Sequence, residues 1–192
     1  MINNQSIESV DHSFYKARFR KPLYDSYCFS NIPGTVEMLL TGNSSLTQLP
    51  RSVLDNLPPQ YDKVVILFLD AFGWIQFNKY QHTNPLLSKI SQEGVVTKLT
   101  SQFPSTTAPH VTTLHTGLPV NEHGIFEWFY YDPKVDDMIA PLLFSFAGQK
   151  NRDGLESANI NPEEIYPTGM FYSRLAEKDI RSFIYQSCSY AF

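Results

Sequence analysis

The sequence predicts an α/β fold built on a mostly parallel sheet, and two apolar segments separated by helices carry that prediction. Residues 63–69 (KVVILFL) form a continuous, β-branched apolar run, which is typical of a parallel strand buried on both faces. Residues 95–101 alternate enough to predict a second strand. Helices are predicted between them over 74–80 and 85–92, with Gly94 ending the second. This order indicates a βαβ unit and hence a parallel sheet flanked by helices.

A turn rich in hydroxyl groups follows the second strand and leads into another helix. Residues 103–107 read FPSTT, and the apolar residues after them fall near one helical face. Proline is tolerated in a helix only in its first turn, so Pro109 places the helix start near Thr106 or Thr107. Gly117 followed by Pro119 predicts the helix end.

The remaining segments suggest a two-part organisation. We expect residues 1–61 to form an N-terminal arm and helices packed on the core, and residues 62–192 to form the first part of the α/β domain. The segment before Gly34 has no clear period and is predicted to be irregular. A short helix is predicted to end at Gly42, and a weakly helical stretch at Pro58. Downstream, the patterns predict two strands around a turn at 132–134, a helix and a last strand, at 126–131, 137–144, 168–177 and 180–187. Because the chain stops within five residues of that last strand, we expect the rest of the domain to be missing.

Composition and charge exclude several classes of protein. The 192 residues are 42% hydrophobic and 18% charged, which is ordinary for a globular domain. A net charge of −4 without a basic stripe argues against binding a nucleic-acid duplex. Cys28 and Cys188 are isolated, so they predict neither a disulfide framework nor a thiolate zinc site. The polar N-terminus and the short apolar runs predict no signal peptide and no membrane span, hence a cytoplasmic protein. The oligomeric state is left open.

Two residues stand where chemistry is expected. Asp70 directly follows the first predicted strand, and ligands of parallel sheets gather beyond the carboxyl ends of the strands. Its carboxylate is therefore a candidate cation ligand, although a helix-capping role is equally consistent with the position. Thr107 is predicted to lie at a helix start, where free N–H groups and the helix dipole favour a phosphate and a developing alkoxide. Capping is the alternative role here too.

The histidines of the same segment are weaker candidates. His110 and His115 lie five positions apart and do not share a helix face, so they do not form a zinc site by themselves. His110, in the first turn, is a tentative donor to a substrate phosphate. His123 is expected to hold the turn at Gly124. No P-loop, dinucleotide-binding glycine motif or nucleophile elbow occurs in the sequence.

Two segments resemble the type I phosphodiesterase/nucleotide pyrophosphatase family of the alkaline-phosphatase superfamily. Residues 64–73 (VVILFLDAFG) are similar to its opening strand followed by Asp-Gly, and residues 103–125 (FPSTTAPHVTTLHTGLPVNEHGI) to its nucleophile loop, helix and following turn. The resemblance covers about residues 62–190. It implies an alkaline-phosphatase-like fold that holds two divalent metals, usually zinc. It also implies that Asp70 binds metal and that Thr107 both binds metal and attacks phosphorus, forming a covalent phosphothreonine.

Two departures from the family pattern qualify this expectation. His110 stands where the pyrophosphatases have a phosphate-binding Asn, so the substrate preference stays open. The family's further Asp and His ligands follow the last strand, and we expect them beyond Phe192, which leaves the 192-residue chain poorly active. The predicted activity of the full-length protein is hydrolysis of a small-molecule phosphodiester or nucleotide pyrophosphate. A non-catalytic binding module and a phosphomonoesterase remain alternatives.

Overall fold

The computed structural model describes residues 1–16, 19–149 and 151–186, and these fall into two compact units, Met1–Ser101 and Gln102–Phe192. These compact units do not test the predicted domain boundary between residues 61 and 62, which stays a prediction. The end of the predicted last strand, Ser187, and Cys188 lie outside the described residues.

The first unit is mainly helical and begins with a helix. Its helices are α1 (Asn4–His12), α2 (Ile32–Thr41), α3 (Trp74–Tyr80) and α4 (Pro85–Glu93), and strands β1 (Phe14–Lys16) and β2 (Phe19–Arg20) pair antiparallel. The helix α1 replaces the irregular arm predicted for this segment, because Asn3 caps it by accepting from the backbone N–H of Ser6. The stretch expected to be weakly helical before Pro58 forms only a 3-10 turn, Arg51–Leu54.

The helix boundaries predicted by caps are confirmed in this unit. Helix α3 has the predicted bounds, and α4 is capped by the Asn84 side chain, which accepts from the N–H groups of Leu86 and Leu87. Helix α2 ends at Gly42 as predicted and begins three residues earlier than expected, with Pro33 in its first turn. Local capping chemistry was therefore a good guide to where helices start and stop.

The parallel sheet predicted for this unit is not observed in the described residues. Residues 64–69 lie outside any described helix or strand, and Val65 and Leu67 are 90% and 75% exposed. Parallel pairing among the described residues is limited to two isolated bridges, which join Val96 to Ile2 and Thr100 to Cys28. The prediction of a strand buried on both faces was wrong here, because such a strand needs neighbours on both edges and cover on both faces. The apolar pattern shows only that the segment is suited to burial, and it does not show whether neighbouring strands and covering helices are present.

The second unit combines a small antiparallel sheet with short helices. Strands β3 (Tyr130–Asp132), β4 (Asp137–Ala140) and β5 (Ser145–Phe146) pair in that order. The helices are α5 (Thr107–Thr116), α6 (Val120–His123), α7 (Gly154–Ser157), α8 (Pro162–Ile165) and α9 (Phe171–Ala176). The predicted strand pair around residues 132–134 is present as the β3–β4 hairpin, shorter than expected. The predicted last strand is not observed in its described part, since residues 180–186 belong to no described helix or strand.

A single apolar cluster holds the second unit together. Ile139 and Leu142 of the sheet region, Leu155 of α7 and Ala108 of α5 are almost completely buried within it. Val111 of α5 packs on the cluster as well. Burial of Ala108 places the first turn of α5 directly against the core, so the segment that carries Thr107 is anchored by packing.

The described residues thus form a mixed helical and small-sheet structure, compatible with an α/β fold, whose sheets are antiparallel. None of the described helices is long and apolar enough to cross a bilayer.

Candidate active site

The start of α5 displays the hydroxyl-rich turn. Thr106 is the N-cap with extended backbone (φ −124°, ψ 169°), and Thr107 is the first helical residue. Pro109 lies in the first turn, as its missing N–H requires, so the predicted helix start is confirmed. Helix α5 is ten residues long, and its N-terminus presents backbone N–H groups and a positive dipole end. The Thr107 hydroxyl therefore lies where negative charge is favoured.

The hydroxyl of Thr106 is buried and is not used as a cap. Its Oγ1 has no hydrogen-bond partner in the part of the chain that the structure describes, and no cap bond from its side chain to the helix is formed. A buried hydroxyl without a partner is costly, so such groups commonly mark a position that a ligand or water completes. Thr106 was not singled out by the sequence except as a possible cap.

His110 lies beside these hydroxyls and is 8% exposed. Its Nδ1 is 2.7 Å from the carbonyl oxygen of Thr106. Because a carbonyl only accepts, Nδ1 carries the proton, and Nε2 is the unprotonated nitrogen of the neutral ring. A hydrogen bond donated from Nε2 to a phosphate oxygen therefore requires the protonated ring.

His115 and His123 are both buried on the same segment and are both kept neutral. Burial lowers the pKa of His115, a hydrogen bond that the ring donates to Gln186 partly opposes this shift, and the ring lies edge-on to Tyr172. Burial lowers the pKa of His123 to about 4, while a hydrogen bond with the Pro109 carbonyl opposes that shift. The Nδ1 of His123 accepts from the N–H of Ile125 at 3.0 Å across Gly124, so the expected role of His123 in holding this turn agrees with its contacts.

Two glycines of the segment occupy backbone conformations that other residues rarely adopt. Gly117 ends α5 at φ 77°, and Gly124 ends α6 at φ 77°. A Cβ on Gly124 would meet no atom within 4 Å, so the requirement there is the left-handed backbone and not the space. The left-handed backbone explains why Gly follows Thr116 at the end of α5 and His123 at the end of α6.

Asp70 belongs to the first unit and directly follows the segment 64–69. Its side chain is exposed, and Oδ1 accepts from the N–H of Ala71 at 3.0 Å. Ala71 has φ 57°, the left-handed region, where the family pattern that the sequence resembles has Gly. The two candidate residues Asp70 and Thr107 thus belong to different units, and their joint role stays a prediction.

The described residues do not by themselves fit a complete metal site. A zinc ion takes three or four ligands, and nowhere in residues 1–16, 19–149 and 151–186 do three or more His, Cys, Asp or Glu side chains converge. Asp70 and Thr107 supply one carboxylate and one hydroxyl. The implied pair of metals therefore cannot be built from these residues alone.

Comparison with known families decides what this segment is. The sequence profile of the type I phosphodiesterase/nucleotide pyrophosphatase family matches residues 64–165, which is more than half of the chain. The chain belongs to this family. The matched range includes Asp70, Thr107, His110 and His123. No solved structure matches the chain. Membership in the type I phosphodiesterase family confirms the resemblance and supports phosphoester hydrolysis as the general activity.

Two residues of this part of the type I phosphodiesterase chain were missed by sequence reasoning. Gln102 and Thr113 form a buried hydrogen-bonded pair, with Gln102 Nε2 2.7 Å from Thr113 Oγ1. Gln102 precedes the recognisable motif by one residue, and Thr113 reads as an ordinary helical position. The one available signal was Thr113 itself, a polar residue at a position of the helical pattern that is expected to be buried, where its hydroxyl needs a hydrogen-bond partner.

Proposed function

We propose that this protein hydrolyses a phosphodiester or nucleotide pyrophosphate bond of a small molecule, with Thr107 as nucleophile and a covalent phosphothreonine intermediate. The observation that carries the proposal is the position of Thr107 as first residue of α5, within the segment matched by the family profile. A hydroxyl at a helix N-terminus is close to N–H groups that can stabilise a phosphoryl oxygen.

The reaction has two steps. Thr107 is the nucleophile in the first and the leaving group in the second. In the first, Thr107 Oγ forms a bond to phosphorus as the bond to the leaving oxygen breaks, and the Thr107 proton is lost. The leaving alcohol or nucleotide departs with the electron pair of that bond and takes up a proton. In the second, a water oxygen attacks phosphorus, the phosphothreonine bond breaks, and Thr107 recovers its proton.

His110 is proposed to contact a phosphoryl oxygen of the substrate. Its Nδ1–H bond to the Thr106 carbonyl fixes the ring at the start of α5, three residues after Thr107. The side chain is mostly buried, which limits the directions in which Nε2 can point.

We propose Asp70 and Thr107 as ligands of a divalent metal, with zinc the expected ion. A site at these two residues depends on ligands other than those the described residues bring together, since two ligands do not hold zinc. Equilibrium dialysis with Zn²⁺ tests this directly. The 192-residue chain is expected to retain little zinc at micromolar concentration, and tight binding of two ions would contradict this ligand count.

The experiment that tests the nucleophile compares Thr107→Ala with Thr107→Ser. Hydrolysis of an aryl phosphodiester by the protein is expected to disappear in Thr107→Ala and to persist at a reduced rate in Thr107→Ser, which keeps a hydroxyl. Mass spectrometry of acid-quenched wild-type protein is expected to show a phosphoryl group on Thr107. Full activity of Thr107→Ala would refute the assignment.

A binding module without catalysis is the second candidate function, because no described group of side chains completes a metal site. It predicts no turnover with any phosphoester in the presence of Zn²⁺. A phosphomonoesterase of the same superfamily differs only in substrate, and rates on matched aryl mono- and diesters distinguish it.

A further inference from the structure

The side chain of Gln102 is almost completely buried and uses both ends of its amide. It is 1% exposed. Its Nε2 donates to the carbonyl of Pro109 at 3.2 Å and to Thr113 Oγ1 at 2.7 Å. Its Oε1 accepts from the backbone N–H of Val120 at 3.1 Å. One side chain thus joins two turns of α5 to the start of α6.

These bonds close the loop that carries the candidate nucleophile. Gln102 lies before the hydroxyl-rich turn and Pro109 lies after it, so the hydrogen bond between them joins the two ends of a loop of eight residues, 102–109. Thr107 and the partnerless hydroxyl of Thr106 lie within that loop. Because the loop is tied at its base by a buried contact, its backbone has little freedom to shift.

His123 supports the same tie from the other side. Its Nδ1 accepts from the N–H of Ile125, which only donates, so the neutral ring carries its proton on Nε2. Nε2 is 3.2 Å from Thr113 Oγ1, and its proton is shared between this hydroxyl and the carbonyl of Pro109. Thr113 accepts from both Gln102 and His123, which links the tie to the turn at Gly124.

Only an amide meets these requirements at position 102. A carboxylate keeps the acceptor for Val120 but has no N–H for Pro109 and Thr113, and an apolar side chain leaves all three partners without that bond. A glutamine is costly to bury unless every group is used, and here donor and acceptor groups of the amide are both bonded. Ala108 already anchors the start of α5 by packing, so the hydrogen bonds of Gln102 are a second and separate constraint on this segment.

We propose that Gln102 is a positioning residue for catalysis, which sets the place of the Thr107 hydroxyl by closing the loop 102–109. The inference rests on the proposed role of Thr107. It assigns to Gln102 no contact with substrate. Misplacement of a reacting group by about 1 Å can cost two orders of magnitude in rate, so loss of this tie acts on turnover more than on binding.

The test compares Gln102→Met, which is linear and of similar size, with Gln102→Glu and with the control Gln92→Met on the exposed side of α4. Amide hydrogen exchange is measured first and does not depend on activity. We expect exchange in residues 103–109 to rise at least tenfold in both position-102 variants and to stay unchanged in the control.

Steady-state kinetics of the same variants give the second measurement. We expect kcat on an aryl phosphodiester to fall 10- to 100-fold in Gln102→Met with KM within threefold of wild type. Unchanged exchange in residues 103–109, or unchanged kcat, overturns the proposal. Loss of folding in both position-102 variants also overturns it, because Gln102 would then serve the fold as a whole. If Thr107→Ala keeps full activity while the exchange result holds, the role of Thr107 fails and the loop tie remains.

Discussion

Asp70 and Ala71 are joined by a hydrogen bond from the Ala71 backbone N–H to Asp70 Oδ1, and Ala71 holds a left-handed φ of 57° while making it. Most other non-glycine residues with positive φ in the described chain are Asn or Asp, which tolerate this region better than Ala does. The candidate metal ligand is therefore followed by a strained backbone position.

Replacing Ala71 with Gly is expected to stabilise the protein. Relief of the left-handed strain is worth about 1–2 kcal/mol, and the added freedom of Gly in the unfolded chain costs about 0.5–1 kcal/mol, so a net gain of about 0.5–1 kcal/mol is expected. Urea denaturation followed by circular dichroism measures it. The matched control is Asn56→Gly, at φ 63° in the same unit, with an expected change of a few tenths of a kcal/mol. A loss of stability in Ala71→Gly would show that φ at this position is not a source of strain.

Stability is expected to fall as the pH is lowered from about 6.5 to 4. Burial lowers the pKa of His123 to about 4, so the folded protein keeps the ring neutral while the unfolded chain takes up a proton below its ordinary pKa of about 6.5. The contribution is complete above pH 6.5 and is lost as the pH falls towards 4, up to about 3 kcal/mol in total. His115 shifts in the same direction and adds to the effect.

His123→Gln isolates the share of His123 in that pH dependence. The free energy of unfolding of this variant, measured by urea titration at pH 7.5, 6, 5 and 4.5, is expected to change less with pH than that of the wild type. The residual slope is expected from His115. An identical slope in both proteins would assign the effect to other groups.

Tyr166→Phe is expected to destabilise the second unit. The Tyr166 hydroxyl is buried and donates to the carbonyl of Pro141, and burial raises its pKa well above the ordinary value. Removing the hydroxyl leaves a buried carbonyl without this partner, which costs about 1–3 kcal/mol. Tyr131→Phe is the control, since that hydroxyl bonds Asp136 at the surface, and its change is expected within about 0.5 kcal/mol. Equal melting temperatures for the two variants would contradict the assignment.

Gly124→Ala is expected to cost about 1–2 kcal/mol through the backbone alone. The space for a methyl group is open, but the φ of 77° is unfavourable for an L-residue. Gly73→Ala, at an extended φ of −117° with an ordinary contact to Gln76, carries no left-handed strain. Gly73 is the N-cap of α3, where Gly is preferred over Ala, so a smaller cost of less than about 1 kcal/mol is expected. Thermal unfolding compares the two. A neutral Gly124→Ala would mean that the turn at residue 124 relaxes.

The parts of the structure that sequence reasoning predicted are those fixed by local chemistry. The start of α5 follows from Pro109, its end from Gly117, and the end of α4 from Gly94, because each residue acts on its own turn. Family membership followed from a long motif. The predicted burial of residues 64–69 was wrong, because burial depends on strands and helices from other parts of the chain, and a local apolar pattern carries no information about them.

The same limit applies to the candidate site. Thr107 was placed correctly at a helix start because Pro109 constrains that start within two residues. Gln102 was missed because its partners lie 7, 11 and 18 residues away, and their meeting depends on how α5 and α6 fold back on each other. Asp70 as a metal ligand stays a prediction for the same reason.

The exposure of segment 64–69 has a consequence for how the chain is handled. Proteases bind their substrates as extended strands, and most residues of this apolar run expose a large part of their surface while lying outside any helix or described sheet. Limited digestion by chymotrypsin or thermolysin is therefore expected to cut first within it, releasing the sequence before Asp70 from the piece that carries Thr107. The same exposure makes the run a ready template for intermolecular strand pairing, so dilute, cold storage suits the purified chain.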